Sequence, residues 1–167
     1  MEIRHMLLPE FDEEMKKTRK MLERVPEGMP DYKPHEKSMP LGRLAAHVAQ
    51  LPEFASFIVE LPELDFGKRT MKPLVMESRQ QLLDIFDELA GKTRTAIAGA
   101  NDEEWQQKWK LIFQGKTFVD EPRFIAYRGM FLNHLVHHRA QLGVYLRLND
   151  VPLPATYGPS ADDRMGF

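Results

Sequence analysis

The 167-residue sequence contains no cysteine, which excludes disulfides, a thiolate nucleophile and any cysteine-ligated metal. That absence suits a reducing compartment, and a cytoplasmic location is expected. A dominant charge is missing as well: 23 basic side chains stand against 25 acidic ones, for a formal net charge of −2. This balance offers no broad attraction to nucleic acid or anionic lipid, so neither is expected as a partner. Long apolar runs are lacking too. The uncharged stretch 44–52 falls far short of the roughly 20 residues that a membrane span needs. The N-terminal MEIRHMLLPEFDEEM reaches its acids too soon for a secretory signal. No internal repeat, Gly-rich phosphate loop, Ser-His-Asp order or organic-cofactor motif is found. What is present, 43% hydrophobic residues, suits one soluble domain over residues 1–167, large enough to bury a core without staples.

Four segments carry a helical period, with breakers between them. The first runs over 7–25, with Leu8, Phe11, Met15, Thr18 and Leu22 on one face. Pro26, Gly28 and Pro30 end it. Ser38 is a suitable N-cap for the second helix, with Pro40 in its first turn and Leu44, Val48, Leu51, Phe54, Ala55 and Ile58 facing inward. Residues 60–73 read as a loop. A third helix follows over 74–98, with Leu82, Ile85, Phe86, Leu89 and Ile97 inward. Between 101 and 120 the period changes. Trp109, Leu111 and Phe113, then Thr117 and Val119, alternate around Gln114-Gly115-Lys116, as in a short hairpin or extended crossover. The fourth helix spans 121–148, with Pro122 in its first turn. The expected fold is therefore all-α, a four-helix bundle with an extended or hairpin crossover before the last helix.

Three of the six histidines, His134, His137 and His138, fall within five residues of the fourth helix. Residues four apart lie one turn above each other, about 5–6 Å between Cβ atoms, so His134 and His138 can point at one ion. Two hydrogen-bonded histidines would give the same spacing. Both share the stripe of Phe124, Tyr127, Phe131, Leu135, Leu142, Tyr145 and Leu146, which marks the buried face, where a polar group needs a partner. His137 is rotated about 100° away, toward the rim or solvent. His47 shares the apolar face of Leu44, Leu51 and Phe54. It is either a satisfied core histidine or, facing the other pair, a third ligand. Three neutral imidazoles leave a coordination position open, as in catalytic sites. Pro52 removes one hydrogen bond from the second helix and frees the carbonyl of Val48 beside this site.

GRLAAHVAQ, then HLVHHRAQLGVYLRL, then VPLPATYGPSADD, in that order, resemble the DinB/YfiT-like superfamily of metalloenzymes. The resemblance covers nearly the whole chain. It implies an up-down-down-up four-helix bundle with a divalent metal held by His47, His134 and His138. Where the family commonly reads HHRGQ, this chain has Ala140 in place of the glycine, which leaves the ligands untouched. An all-imidazole set suits zinc or nickel foremost, with iron, manganese, cobalt and copper also possible ions. The resemblance further implies a metal-dependent enzyme acting on a small-molecule substrate. Relatives include thiol S-transferases and isomerases that use bacillithiol or mycothiol; a hydrolase activating water would use the same site. With no cysteine, any sulfur must come from a low-molecular-weight thiol cosubstrate. A non-catalytic metal-binding or dimerisation module is the other class left open, and a homodimer is the expected assembly.

Tyr127 and Tyr145 lie two turns from His134 and His138, able to orient a substrate or donate a proton, or simply to close the core. Gln141, one turn beyond His138, is placed to hydrogen-bond its ring. Asn133 and Arg139 are expected at solvent or an interface, His5 and His35 at the surface, and Trp105 and Trp109 as packing under the crossover. The tail from 151 onward, rich in Pro and Gly, is expected to lie irregular but ordered along the bundle, anchored by Val151, Leu153 and Tyr157.

Overall fold

The computed structural model describes residues 2–68 and 72–165. Four long helices form the apolar centre, but the chain is not all-α. Helix α1 (Ile3–Leu22) is followed by α2 (Leu41–Glu60), strand β1 (Glu63–Asp65) and α3 (Arg79–Gly99). Then come α4 (Asp102–Gln106), β2 (Lys108–Phe113), β3 (Lys116–Pro122), α5 (Arg123–Ala126), a π-helical segment (Tyr127–Leu132) and α6 (Asn133–Leu148). The expected pure four-helix bundle is corrected by a three-stranded mixed sheet of order β1-β2-β3. No helix among the described residues is long and apolar enough to cross a membrane.

The sheet was half visible in the sequence. The hairpin turns through Gln114 and Gly115, whose φ values of 49° and 73° are both positive, the turn that matches strand twist. Trp109 and Leu111 point inward while their neighbours are exposed or half-buried. The Trp109 ring stands edge-on to Phe54 of α2, centroids 6.0 Å apart, which fastens the sheet to the helices. Strand β1 pairs parallel to β2 at Glu63↔Lys110, Leu64↔Leu111 and Asp65↔Ile112. With one inward residue, Leu64, it offers no period to read, and its pairing exists only through a partner some 47 positions away in that register. Expecting a plain loop over 60–73 therefore missed it.

Helix boundaries moved for local reasons. Ser38 does not cap α2: its amide closes a turn onto His35, and α2 begins only after Pro40. The first amides of α2 are satisfied by loop carbonyls, Leu41 N to Tyr32 O at 2.9 Å and Gly42 N to Pro30 O at 2.8 Å. Glycine permits this close approach, for a Cβ on Gly42 would stand 3.0 Å from that of Pro30, a tight contact. Helix α3 starts at Arg79 rather than 74, with the Ser78 hydroxyl accepting from Gln81 N. Helix α4 carries an Asn101–Glu104 capping box, a signal that the NDEE string offered. Helix α2 continues through Pro52, whose own carbonyl accepts from the buried Thr93 hydroxyl at 2.7 Å, tying α2 to α3.

The last helix is not one continuous α-helix over 121–148. Strand β3 runs to Pro122, and the π-helical segment separates the short α5 from α6. A π turn carries an extra residue, which rotates everything before it by roughly 100° relative to an ideal α-helix. The hydrophobic period hides such an insertion because apolar residues flank it on both sides. Helix α2 is the central element, packed against α3, α6 and the π segment. That packing brings His47 of α2 to the two histidines of α6.

Candidate metal centre

His47, His134 and His138 converge, each offering a ring nitrogen within 4.8 Å of the others. The Nε2 atoms of His47 and His134 are 3.4 Å apart, and those of His134 and His138 are 2.8 Å apart. All three rings are half-buried, lying at the edge of the core and not deep within it. An ion with metal–nitrogen distances of about 2.1 Å holds its ligands about 3.4 Å apart in tetrahedral geometry, and about 3.0 Å apart at right angles. The observed spacings bracket those values.

The outer sides of the rings fix their chemistry. His134 Nδ1 lies 3.3 Å from the Met130 carbonyl, and His138 Nδ1 lies 2.8 Å from Gln141 Oε1. Both oxygens only accept, so each Nδ1 carries the proton and donates it. Each Nε2 then turns a lone pair toward the other. Two lone pairs at 2.8 Å repel unless a cation lies between them, and this tautomer is the one that ligates metals. Burial, reinforced by the neighbouring His138, His134 and Arg43, pulls His47 from the usual 6.5 down to about 4. Burial also lowers His134, with His138 adding to it, and lowers His138 against the Gln141 hydrogen bond. All three are neutral at physiological pH, the form that can coordinate. The residues present fit a divalent cation.

The site opens outward beside His47. A cavity of about 330 Å³ is lined there by Met39, Arg43, His47, Gln50, Lys72, Pro73 and Leu74. Gln50 fixes its far wall, accepting from Leu74 N at 2.7 Å and donating to the Lys72 carbonyl at 3.3 Å. Tyr145 is buried, and its hydroxyl donates to the Met39 carbonyl at 3.0 Å, holding another edge of the cavity. Tyr127 is fully buried, and its ring packs on Trp105 and Phe131. Its hydroxyl has no partner among the described residues, and burial holds it protonated. His137 is exposed, its ring edge-on to His138 at 4.8 Å.

Arg139 corrects the sequence reading. It is not at solvent but 2% exposed, because α6 has a second neighbour, α1, on that side. Its Nη2 donates to Glu14 Oε2 at 2.6 Å and to the Tyr157 hydroxyl at 2.8 Å. Its Nη1 donates to Glu14 O at 3.1 Å and to Thr18 Oγ1 at 3.0 Å. Burial works to raise Glu14, but hydrogen bonds from Tyr157, Lys17 and Arg139 outweigh it and hold the carboxyl below its ordinary range. The network locks α6 one residue past His138 and docks the tail through Tyr157, which donates to Glu14 Oε2 at 2.7 Å. Arg147 pairs with Asp162, and the Ser160 hydroxyl donates to the Leu153 carbonyl at 2.6 Å. The tail is therefore irregular and held along α1 and α6, and none of its described residues lines the cavity beside His47.

Sequence reasoning did not single out Glu14, Arg43, Lys72 or a partner for Tyr157. Arg43 was findable, since it precedes His47 by one turn on the same face; the others depend on tertiary neighbours.

Two solved structures share the fold. A DinB-like protein, YjoA, from Bacillus subtilis matches with a TM-score of 0.69 and 18% identity, over 95% of this chain and 99% of its own. A DinB-like protein from Bacillus cereus ATCC 10987 matches with a TM-score of 0.70 and 18% identity, over 93% and 98%. At such identity the likeness speaks for the fold alone. No curated protein matches the chain. The DinB family model matches residues 3–164, nearly the full length and through all three histidines, and the chain belongs to the DinB family.

Proposed function

We propose that the protein binds a divalent metal ion through His47, His134 and His138 and uses it as a metal-dependent transferase for a low-molecular-weight thiol. The observation that carries this is the pair of inward-facing Nε2 lone pairs at 2.8 Å, with a third imidazole 3.4 Å away. A cation held there supplies Lewis acidity, favouring the ionised form of a thiol or a water at neutral pH. The chain's own part is positional. Met130 and Gln141 orient two rings, and the packing of α2 on α6 sets the third. Zinc or nickel suits an all-imidazole set best.

The alternative of a non-catalytic module is less favoured, because the cavity leaves His47 accessible to a small molecule. A purely structural site would be closed on all sides. With no cysteine in the chain, the sulfur nucleophile has to come from the cosubstrate.

The test is metal analysis of untagged protein, followed by thiol consumption in the presence of an electrophile. About one ion per chain is expected, lost in His138→Ala and retained in His137→Ala. Equal loss in both variants would show that the ligating face is misassigned. Metal bound at full stoichiometry with no thiol-dependent turnover would leave the site but remove the transferase.

A further inference from the structure

The cavity beside His47 continues into a second one. A space of about 380 Å³ is lined by Pro30, Asp31, Pro40, Val75 and Met76 among others, and it shares Arg43, Pro73 and Leu74 with the first. Together they form one groove with two chemistries. The inner half has two cations, Arg43 and Lys72, and no acid in its lining. The outer half is mostly prolines and aliphatic side chains, and Val75 stands 72% exposed there. Among the described residues no carboxylate lies within ion-pair distance of Arg43 or Lys72. Six other described arginines, Arg4, Arg19, Arg94, Arg128, Arg139 and Arg147, are by contrast ion-paired. Gln50 is already engaged with the backbone of Lys72 and Leu74, which leaves the two cations as the polar recognition groups of the inner half; the one acid, Asp31, lines the outer half and is not ion-paired to Arg43.

We infer that this groove binds an organic carboxylate, its anionic group on the Arg43 guanidinium and its hydrocarbon part along Pro73, Leu74, Val75 and Met76. A guanidinium is planar and presents paired N–H donors that match a carboxylate in two parallel hydrogen bonds. Lys72, exposed in the same lining, adds a second charge. Arg43 lies one helical turn from His47, so a ligand held by its carboxylate places its neighbouring atoms at the histidines. The inference rests on the proposed function only in making that end the reacting one.

The test titrates the full-length protein, as purified and again after metal chelation, with hexanoate, hexanamide and inorganic phosphate. It runs at about pH 7.5, where buried imidazoles are neutral. Nitrogen-15 NMR reads the Arg43 Nε–H and the amides of residues 72, 74, 75 and 76. Hexanoate is expected to bind at least about tenfold tighter than hexanamide, the value of one charge-assisted contact. It should move both sets of signals, and Arg43→Gln should erase the preference. Equal binding of hexanoate and hexanamide, or a preference that survives Arg43→Gln, overturns the inference. So does phosphate binding as tightly as hexanoate with residues 74–76 unmoved. The two proposals fail separately. Carboxylate selectivity in a protein that takes up no metal overturns the metal reading and leaves this one standing. A metal-loaded protein without selectivity overturns this one alone.

Discussion

Replacing Arg139 with alanine removes a guanidinium that is 3% exposed from a carboxylate, Glu14, that is 7% exposed. Four donated hydrogen bonds go with it, two to Glu14 and one each to Thr18 and Tyr157. Breaking a buried pair from one side costs about 3–5 kcal/mol, because the remaining charge is left without compensation. Here Lys17 Nζ, 3.0 Å from Glu14 Oε1, and the Tyr157 hydroxyl stay behind. The expected loss therefore lies at the lower end, about 3 kcal/mol at about pH 7. The pH dependence has a defined sign. In the wild type Glu14 is held below 4.5, so its stabilisation is present above the unfolded value and is lost as pH falls through the lower folded one. In the variant the lowering by Arg139 is lost while burial, Lys17 and the Tyr157 hydroxyl remain, so the carboxyl moves up from its wild-type position and less stabilisation is lost as pH falls. The gap between the two proteins should therefore shrink as pH falls below the ordinary carboxylate range, where the Glu14 carboxyl takes up a proton in both. Urea unfolding followed by the fluorescence of Trp105 and Trp109, both fully buried, measures this directly. A third variant, Arg139→Met, keeps the packing volume and isolates the charge. A gap below about 0.5 kcal/mol at neutral pH, the size of an ordinary surface substitution, would refute the reasoning. So would a gap that does not change with pH.

Trp109→Ala empties a fully buried position that holds the sheet against Phe54. It should cost about 3–5 kcal/mol in thermal or urea unfolding, with loss of the hairpin's amide protection. Metal-free protein should lose stability as pH falls from the usual histidine value of 6.5 toward about 4, because the unfolded chain protonates His47 more readily. Over about pH 7 to 5 the loss attributable to His47 is about 1 kcal/mol after halving for solvent screening, and flat stability across that range would show that the ring is not held neutral. Tyr157→Phe removes the hydroxyl that joins Glu14 and Arg139. It should cost about 1–2 kcal/mol and leave metal stoichiometry unchanged, and a drop in bound metal would tie the tail to the site.

Features that one helix encodes by itself were legible in the sequence. The stripe through Phe131, Leu135 and Leu142 gave the inward face of the last helix, and His134 and His138 lie on it in the structure. His47 was placed by the same means, from Leu44 and Leu51 on α2, both buried. The hairpin was legible because Gln114-Gly115 is a local turn signal between alternating residues. What escaped depends on partners distant in the chain. Strand β1 has three residues and is a strand only because β2 lies beside it. The π segment escaped because an inserted residue leaves the composition of both faces unchanged.

Arg139 and Arg43 show the two ways in which a charged residue misleads. Each precedes or follows a histidine on its helix; Arg139 reads from sequence as a solvent or interface contact, and Arg43 was not singled out. Arg139 was expected at solvent or an interface, yet its face of the helix is covered by α1, where Glu14 and Thr18 lie one turn apart to receive it. A helix with two packed neighbours has two inward faces, and only the apolar one leaves a hydrophobic trace. Arg43 fails in the opposite sense. It is exposed, but exposure at the lip of a cavity differs from exposure on an open surface. There the missing counter-charge becomes a property of the site. The same residue type, one turn or one residue from a candidate ligand, is thus a structural lock on α6 and a recognition group on α2. The difference lies in which elements pack against each helix, information that no single segment of the chain contains.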